Sequence, residues 1–215
     1  MQLYTYWRSS AAYRVRIALQ LKGLSYQSHY VHLLRDGGEQ HQAAYRGLNP
    51  QELLPTLVLG DGQRLSQSLA IIEYLEEVHP APALLPADPA GRGRVRALAQ
   101  LIACDIHPLN NLRVLQHLSR EFGADEAQQS AWHRHWMALG FAALENLVAQ
   151  QPERGRFCYG ETPGLADICL VPQLYNARRY ALDLNPYPTL RRIDRACAAL
   201  APFRRAAPEA QGDAP

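Results

Sequence analysis

The sequence contains a single lysine, Lys22, among 215 residues, so its positive charge is nearly all arginine. Those arginines are spread along the chain and the formal net charge is only +2, which argues against a nucleic-acid-binding surface. No apolar run approaches the roughly 20 residues that a membrane-spanning helix needs. The first residues lack the basic-then-apolar layout of a secretory signal. Cys104, Cys158, Cys169 and Cys197 have no paired spacing. That scatter argues against a disulfide framework and reads as the reduced thiols of a cytoplasmic protein. Cys104-x-x-His107 offers two ligands, short of a closed zinc site, and no second Cys/His pair has suitable spacing, so no metal is expected. With 47% hydrophobic residues, the chain suits one large domain or two small ones.

What is present is organised around one turn. Residues 2–6 alternate polar and apolar as a strand does, and Val15, Ala18, Leu19 and Leu21 recur at helical spacing up to a stop at Gly23. Between them stands Trp7-Arg8-Ser9-Ser10-Ala11-Ala12. Serines at such a junction cap the helix and leave N–H groups at its positive end, where a thiolate or carboxylate can sit. On these residues alone, plain N-capping is the commoner explanation.

Further strands are expected over 26–33, 53–59 and 63–65, with Gly60-Asp61-Gly62 turning a hairpin between the last two. A short helix or irregular segment is expected over 40–48 and a helix over 67–77. Pro55 marks a tight turn with one backbone donor removed. The order β-α-β-α-β-β-α makes residues 1–79 one small α/β domain. The proline-rich stretch 80–89 is a linker. Beyond it the spacing predicts an all-α domain over 90–205, with helices over 91–120, 125–151, 165–182 and 188–200. The tail, 206–215, is rich in alanine, proline and polar residues and is expected to be flexible.

Several of these segments carry a family resemblance. Trp7-Arg8-Ser9-Ser10, Arg14-Val15-Arg16-Ile17-Ala18-Leu19, Leu54-Pro55 and Gln67-Ser68-Leu69-Ala70-Ile71-Ile72-Glu73-Tyr74-Leu75 resemble the zeta class of glutathione transferases. That class comprises the maleylacetoacetate and maleylpyruvate isomerases. Cys104-Asp105-Ile106-His107-Pro108-Leu109-Asn110-Asn111-Leu112-Arg113 and Asp183-Leu184-Asn185-Pro186-Tyr187-Pro188 resemble it specifically. The match runs in order over residues 2–205. It implies a thioredoxin-like α/β N-terminal domain followed by an all-α C-terminal domain, usually in a homodimer, with glutathione as cofactor.

The resemblance also assigns roles. Leu54, held extended by Pro55, would pair with the cysteine backbone of glutathione. Gln67 and Ser68 would receive the γ-glutamyl carboxylate, with Gln40 as a further contact. Ser9 would donate a hydrogen bond to the glutathione thiolate while the helix end lowers the thiol pKa, with Ser10 auxiliary and Arg8 beside it. His107, Asn111, Leu112 and Arg113 would line the active-site cleft as further glutathione contacts. Arg8, Arg113 and Arg179 would clamp carboxylates of the substrate, as guanidinium does bidentately. The implied reaction is glutathione-dependent cis–trans isomerisation of a maleyl diacid, maleylacetoacetate or maleylpyruvate. Two other readings remain at this point: a transferase conjugating or dehalogenating α-halo acids, and a non-catalytic interaction protein that has kept the fold.

Two residues depart from the family pattern. Ala11 stands where a cysteine often follows the two serines, so no second thiol is needed there. Gly164 replaces the usual Ser or Thr N-cap opposite Asp167, which removes half of a capping box at a cost of a few tenths of a kcal/mol.

Overall fold

Alternation in the first strand buries Leu3 and Thr5 and leaves Gln2 in solvent. This strand, β1 (Gln2–Thr5), lies inside a four-stranded sheet of order β2-β1-β3-β4. It runs parallel to β2 (Gln27–Tyr30) and antiparallel to β3 (Thr56–Val58), which pairs in turn with β4 (Arg64–Ser66). The parallel pair is joined by α1 (Ser10–Leu21), and α2 (Ala43–Arg46) precedes β3. Next in the chain is α3 (Ser68–Val78), which packs against α1. Leu3, Ile17, Leu57, Ile71 and Leu75 form the core between sheet and helices. The computed structural model describes all residues except Pro152 and Arg154.

The strand expected from residue 53 starts only at Thr56, and the Leu54–Pro55 bond in the turn before it is cis. The sole lysine is buried here. Lys22 Nζ has three protons to donate and three acceptors: Glu76 Oε2 at 2.8 Å and the carbonyls of His79 and Pro82 at 2.5 and 3.0 Å.

Chain ends and domain edges differ from expectation. The chain divides into two units, Met1–Ala83 with Ala199–Pro215, and Leu84–Ala198. The tail expected to be flexible is built into the first unit. Ala201–Ala206 forms α9 against α1, Pro208–Ala210 forms a 3-10 turn, and Phe203, Ala206 and Pro208 are buried. Its alanine- and proline-rich composition carried no sign of this, because the partners that hold it are near residue 16, far away in sequence.

The second unit is helical. The single helix expected over 91–120 is broken. α4 (Pro89–Gln100) runs into a π-helical turn over Leu101–Ile106, closed by His107 N–H to the Ile102 carbonyl at 2.9 Å. A 3-10 turn over Pro108–Asn110 follows, and α5 (Leu112–Phe122) starts afresh, capped by Asn111. Cys104, His107 and Asn111 therefore do not share one α-helical face, since the change of winding rotates them apart. α6 (Glu126–Ala149) opens with a capping box between Asp125 and Gln128. The almost wholly buried α7 (Leu165–Arg179) packs against α4 and against α8 (Pro188–Ala198).

Candidate functional site

In the first unit the serine turn has the geometry its residues imply. Ser9 is the N-cap of α1, and its Oγ accepts from Ala12 N–H at 3.2 Å. The hydroxyl proton has no acceptor among the described residues, so Ser9 can cap and donate at once. Ser10 is the first residue of the helix and is half-buried. Arg8 lies with its Cζ 5.2 Å from the Trp7 ring centroid, a cation–π contact. It has no carboxylate partner among the described residues.

Leu54 is ready to pair with an extended chain. The preceding carbonyl, of Leu53, is taken by Tyr45 Oη at 2.6 Å and Asn49 Nδ2 at 2.8 Å. The N–H and C=O of Leu54 itself carry no hydrogen bond among the described residues. Thr56 stands opposite Ser66, and this antiparallel register brings the Leu54 end of β3 beside Gln67 and Ser68. Gln67 holds φ 66° and ψ 116°, a conformation that costs a non-glycine residue on the order of 1–3 kcal/mol. Its side chain does not cap α3 and instead donates to Gln51 Oε1 at 2.9 Å. The first N–H groups of α3 are thus left without a side-chain cap, and the residue before them is strained. Both features suit an incoming carboxylate.

Buried Ser68 accepts from Arg14 Nη1 at 3.3 Å, so a buried cation stands behind that helix end. In the sequence Arg14 and Arg16 stand out only as part of a motif. Their signal was two arginines inside an otherwise apolar helical run, and both are fully buried. Gln40 is buried too, but its Nε2 contacts the Leu33 carbonyl at 3.4 Å and His41 Nε2 at 2.9 Å. Its Oε1 has no partner among the described residues, and no hydrogen bond joins its amide to the other residues assigned here.

In the second unit His107, Asn111, Leu112 and Arg113 gather where the π-turn, the 3-10 turn and α5 meet. Asn111 Oδ1 caps α5 through Arg113 N–H at 3.1 Å. The Arg113 guanidinium is exposed and has no carboxylate partner among the described residues. At the far end of α7, Arg178 is engaged with Asp194 Oδ2 at 2.8 Å. Arg179 reaches Asn176 Oδ1 at 3.2 Å and lies 5.4 Å from the Tyr180 ring centroid. Tyr180 stacks on the buried imidazole of His133 at 3.6 Å. Burial, and then the nearby Arg179 charge, hold His133 down to about 4, so it is neutral at physiological pH.

Asp167 is buried and structural. It accepts from Gly164 N–H and from Cys158 N–H, each at 2.9 Å, so only its half of the capping box is formed. Gly164 has a steric reason: a Cβ there would meet the Leu84 carbonyl oxygen at 2.7 Å. Cys104 is the exposed cysteine, and burial pushes the Cys158 and Cys197 thiols up.

The first unit thus offers a hydroxyl at a helix start, an unpaired backbone N–H and C=O, and an uncapped helix end backed by a cation, groups that can receive an anionic sulfur, an extended backbone and a carboxylate. Residues 8–78 match the model for the glutathione S-transferase N-terminal domain, and residues 130–209 the model for its C-terminal domain. The chain belongs to the glutathione transferase family. It is 55% identical over 214 residues to the maleylpyruvate isomerase of a Ralstonia species, covering 99% of each chain. It also superimposes, at a TM-score of 0.97 and 53% identity over the whole of both chains, on a holo maleylpyruvate isomerase structure described as a bacterial zeta-class enzyme. A maleylacetoacetate isomerase of Anaeromyxobacter dehalogenans, solved with dicarboxyethyl glutathione and citrate in its active site, aligns at a TM-score of 0.88 and 50% identity. That alignment covers 100% of this chain and 93% of the other.

Proposed function

We propose that the protein is a glutathione-dependent cis–trans isomerase of maleyl diacids, of the maleylpyruvate and maleylacetoacetate type, with the roles distributed as follows. Leu54 pairs with the peptide backbone of glutathione, and the α3 N-terminus with Gln67 and Ser68 takes its γ-glutamyl carboxylate. Ser9 donates its free hydroxyl proton to the sulfur, and the positive end of α1 favours the anion over the thiol. Ser10 and Arg8 flank that position, and Gln40 is a further cofactor contact. The chemistry that glutathione supplies when bound is a thiolate that adds to the cis double bond, allows rotation, and leaves to give the trans (fumaryl) isomer.

Arg113 and Arg179 hold carboxylates of the substrate. Binding of a dicarboxyethyl adduct of glutathione by the Anaeromyxobacter relative supports this reading, since such a group is what thiol addition to a four-carbon cis-diacid leaves on sulfur. His107, Asn111 and Leu112 serve as contacts beside Arg113. The enzyme acts as a homodimer in the cytoplasm, in the breakdown of aromatic compounds. No helix among the described residues is long and apolar enough to cross a membrane.

The observation that carries the proposal is the set in the first unit: the free Ser9 proton, the unpaired backbone of Leu54 and the uncapped α3. The test is turnover of maleylacetone with and without glutathione. Isomerisation that requires glutathione and does not consume it supports the proposal. Consumption of glutathione, or release of halide from α-halo acids without isomerisation, points to a conjugating transferase. No turnover at all points to a binding protein.

A further inference from the structure

The turn that presents Ser9 is held from behind by the last residues of the chain. Trp7 N–H donates to Asp213 Oδ2 at 2.9 Å, across 206 residues of sequence. The carbonyl on the other side of the same residue accepts from Arg16 Nη2 at 2.9 Å. Arg16 Nη1 adds bonds to the Tyr6 carbonyl at 3.2 Å and Thr5 Oγ1 at 3.0 Å, and its Nε donates to the Ala206 carbonyl at 3.0 Å. The Tyr6 carbonyl accepts once more, from Ser9 N–H at 3.0 Å. Both peptide planes that flank Trp7 are therefore fixed, one by Asp213 and Arg16 together and the other by Arg16. The tail is seated by two further bonds, Gly212 N–H to Tyr30 Oη at 3.2 Å and Arg205 Nε to Gln20 Oε1 at 2.7 Å.

The electrostatics fit. Burial pulls the Arg16 guanidinium down to about 10, still charged at neutral pH, and the Asp213 carboxylate is among the groups that favour its charge. The other Asp213 oxygen, Oδ1, is buried with no hydrogen-bond partner among the described residues. A carboxylate in that position is more than a tether for a chain end. It makes a charge-assisted bond to a backbone donor of the turn that neither α1 nor β1 uses.

We infer that Asp213 is a positioning residue for the reaction: acting through the Trp7 peptide and Arg16, the C-terminal strap sets the direction of the Ser9 hydroxyl and hence the ionisation of the bound thiol. The inference rests on the reading of Ser9 given above. Rotation of either plane beside Trp7 swings Ser9, two residues on, and a misdirected hydroxyl stabilises a thiolate poorly. Asp213 itself need touch neither cofactor nor substrate.

The experiment uses the full-length chain and the variants Asp213→Ala, Asp213→Asn and Ser9→Ala. It has two readouts besides turnover. One is hydrogen exchange at the Trp7 amide in the glutathione-free protein. The other is the pKa of the bound glutathione thiol, followed by thiolate absorbance against pH. In Asp213→Ala, Trp7 exchange is expected to quicken about tenfold or more. The thiol pKa is expected to rise by about half a unit or more, while glutathione affinity stays within about threefold. Asp213→Asn keeps an acceptor oxygen without the charge, and both readouts should fall between the native and alanine values.

Unchanged exchange and an unchanged thiol pKa in Asp213→Ala would overturn the inference. So would faster exchange with an unmoved pKa, which would make the strap purely structural. Ser9→Ala separates the two proposals. If it raises the thiol pKa and Asp213→Ala does not, only the positioning role fails. If it leaves the pKa unmoved, the assignment of Ser9 fails first, while Trp7 exchange in Asp213→Ala still decides whether the clamp exists. Should Asp213→Ala unfold, Tyr30→Phe loosens the same strap from an exposed position. It is then expected to move both readouts in the same direction by a smaller amount, and no movement would count against the strap.

Discussion

Replacing Ser9 perturbs two bonds at once, and a pair of variants resolves them. The hydroxyl oxygen caps α1 through Ala12 N–H at 3.2 Å. Losing a serine cap to alanine costs about 0.5–2 kcal/mol of stability, whereas glycine at that position costs only a few tenths. The hydroxyl proton, assigned to the thiolate, makes a bond to a charged acceptor worth about 1.5–3 kcal/mol, or roughly 10–150-fold in rate. Ser9→Gly should therefore lose nearly the whole catalytic effect and little stability, and Ser9→Ala should lose both. Ser9→Thr should keep much of each. Ser10→Ala, which removes no cap, should cost less than either. The assay is glutathione-dependent isomerisation of maleylacetone at low substrate and neutral pH, run beside thermal unfolding of each variant. If Ser9→Gly isomerises at the native rate, the hydroxyl does not stabilise the thiolate and the role argued for this turn is wrong. If the rate falls only in proportion to stability, Ser9 is a cap and nothing more.

Arg179→Ala should lower turnover at low diacid by the equivalent of about 2–4 kcal/mol while calorimetry shows glutathione affinity within about threefold. Equal losses in both would place Arg179 in the cofactor site or in structure. Cys104→Ala, at an exposed thiol, should leave the rate within a few-fold, and a hundredfold loss in a folded variant would indicate a protein nucleophile. Gly164→Ser, which restores the usual capping residue, should destabilise by about 1–3 kcal/mol because its Cβ would meet the Leu84 carbonyl at 2.7 Å, and a raised melting point would contradict that contact. His133 is depressed from 6.5 to about 4, so between those values the unfolded chain binds the extra proton. Stability from this group is full above pH 6.5 and is lost as pH falls toward 4, on the order of 3 kcal/mol. Denaturant unfolding of His133→Phe, which keeps the stack on Tyr180, should show a flatter acid limb than the native protein.

The parts of the fold that were legible in sequence are those set by local chemistry. Alternation from Gln2, serines at the helix start and the proline-rich stretch after Val78 each specify an element or boundary within a few residues. The π-turn over Leu101–Ile106 has no periodic signature, since its apolar residues fit an α-helix equally well until Pro108 stops the run. The tail misled for the opposite reason. Composition argued for disorder, but the order of residues 199–215 comes from distant partners: α1 beside α9, Arg16 with the Ala206 carbonyl, and Trp7 with Asp213. In the site, Ser9, Leu54 and Ser68 could be named from motif and turn chemistry. Arg14, buried behind Ser68, could be recognised only by asking why a helix interior holds a charge.

The discontinuity of the first unit has a consequence during synthesis. N-terminal domains generally fold while the rest of the chain is still being made, but here Ala199–Pro215 completes the unit that Met1–Ala83 begins. At about 5–20 residues per second, translation of the intervening Leu84–Ala198 takes on the order of 6–23 s. Throughout that interval the Arg16 guanidinium lacks its Ala206 acceptor and the serine turn lacks Asp213. A ribosome stalled before the codon of Asp213 would carry a first unit still open at the serine turn. Such nascent chains, captured at successive lengths, should acquire protease resistance in the first unit only once residues 199–215 have emerged from the ribosome.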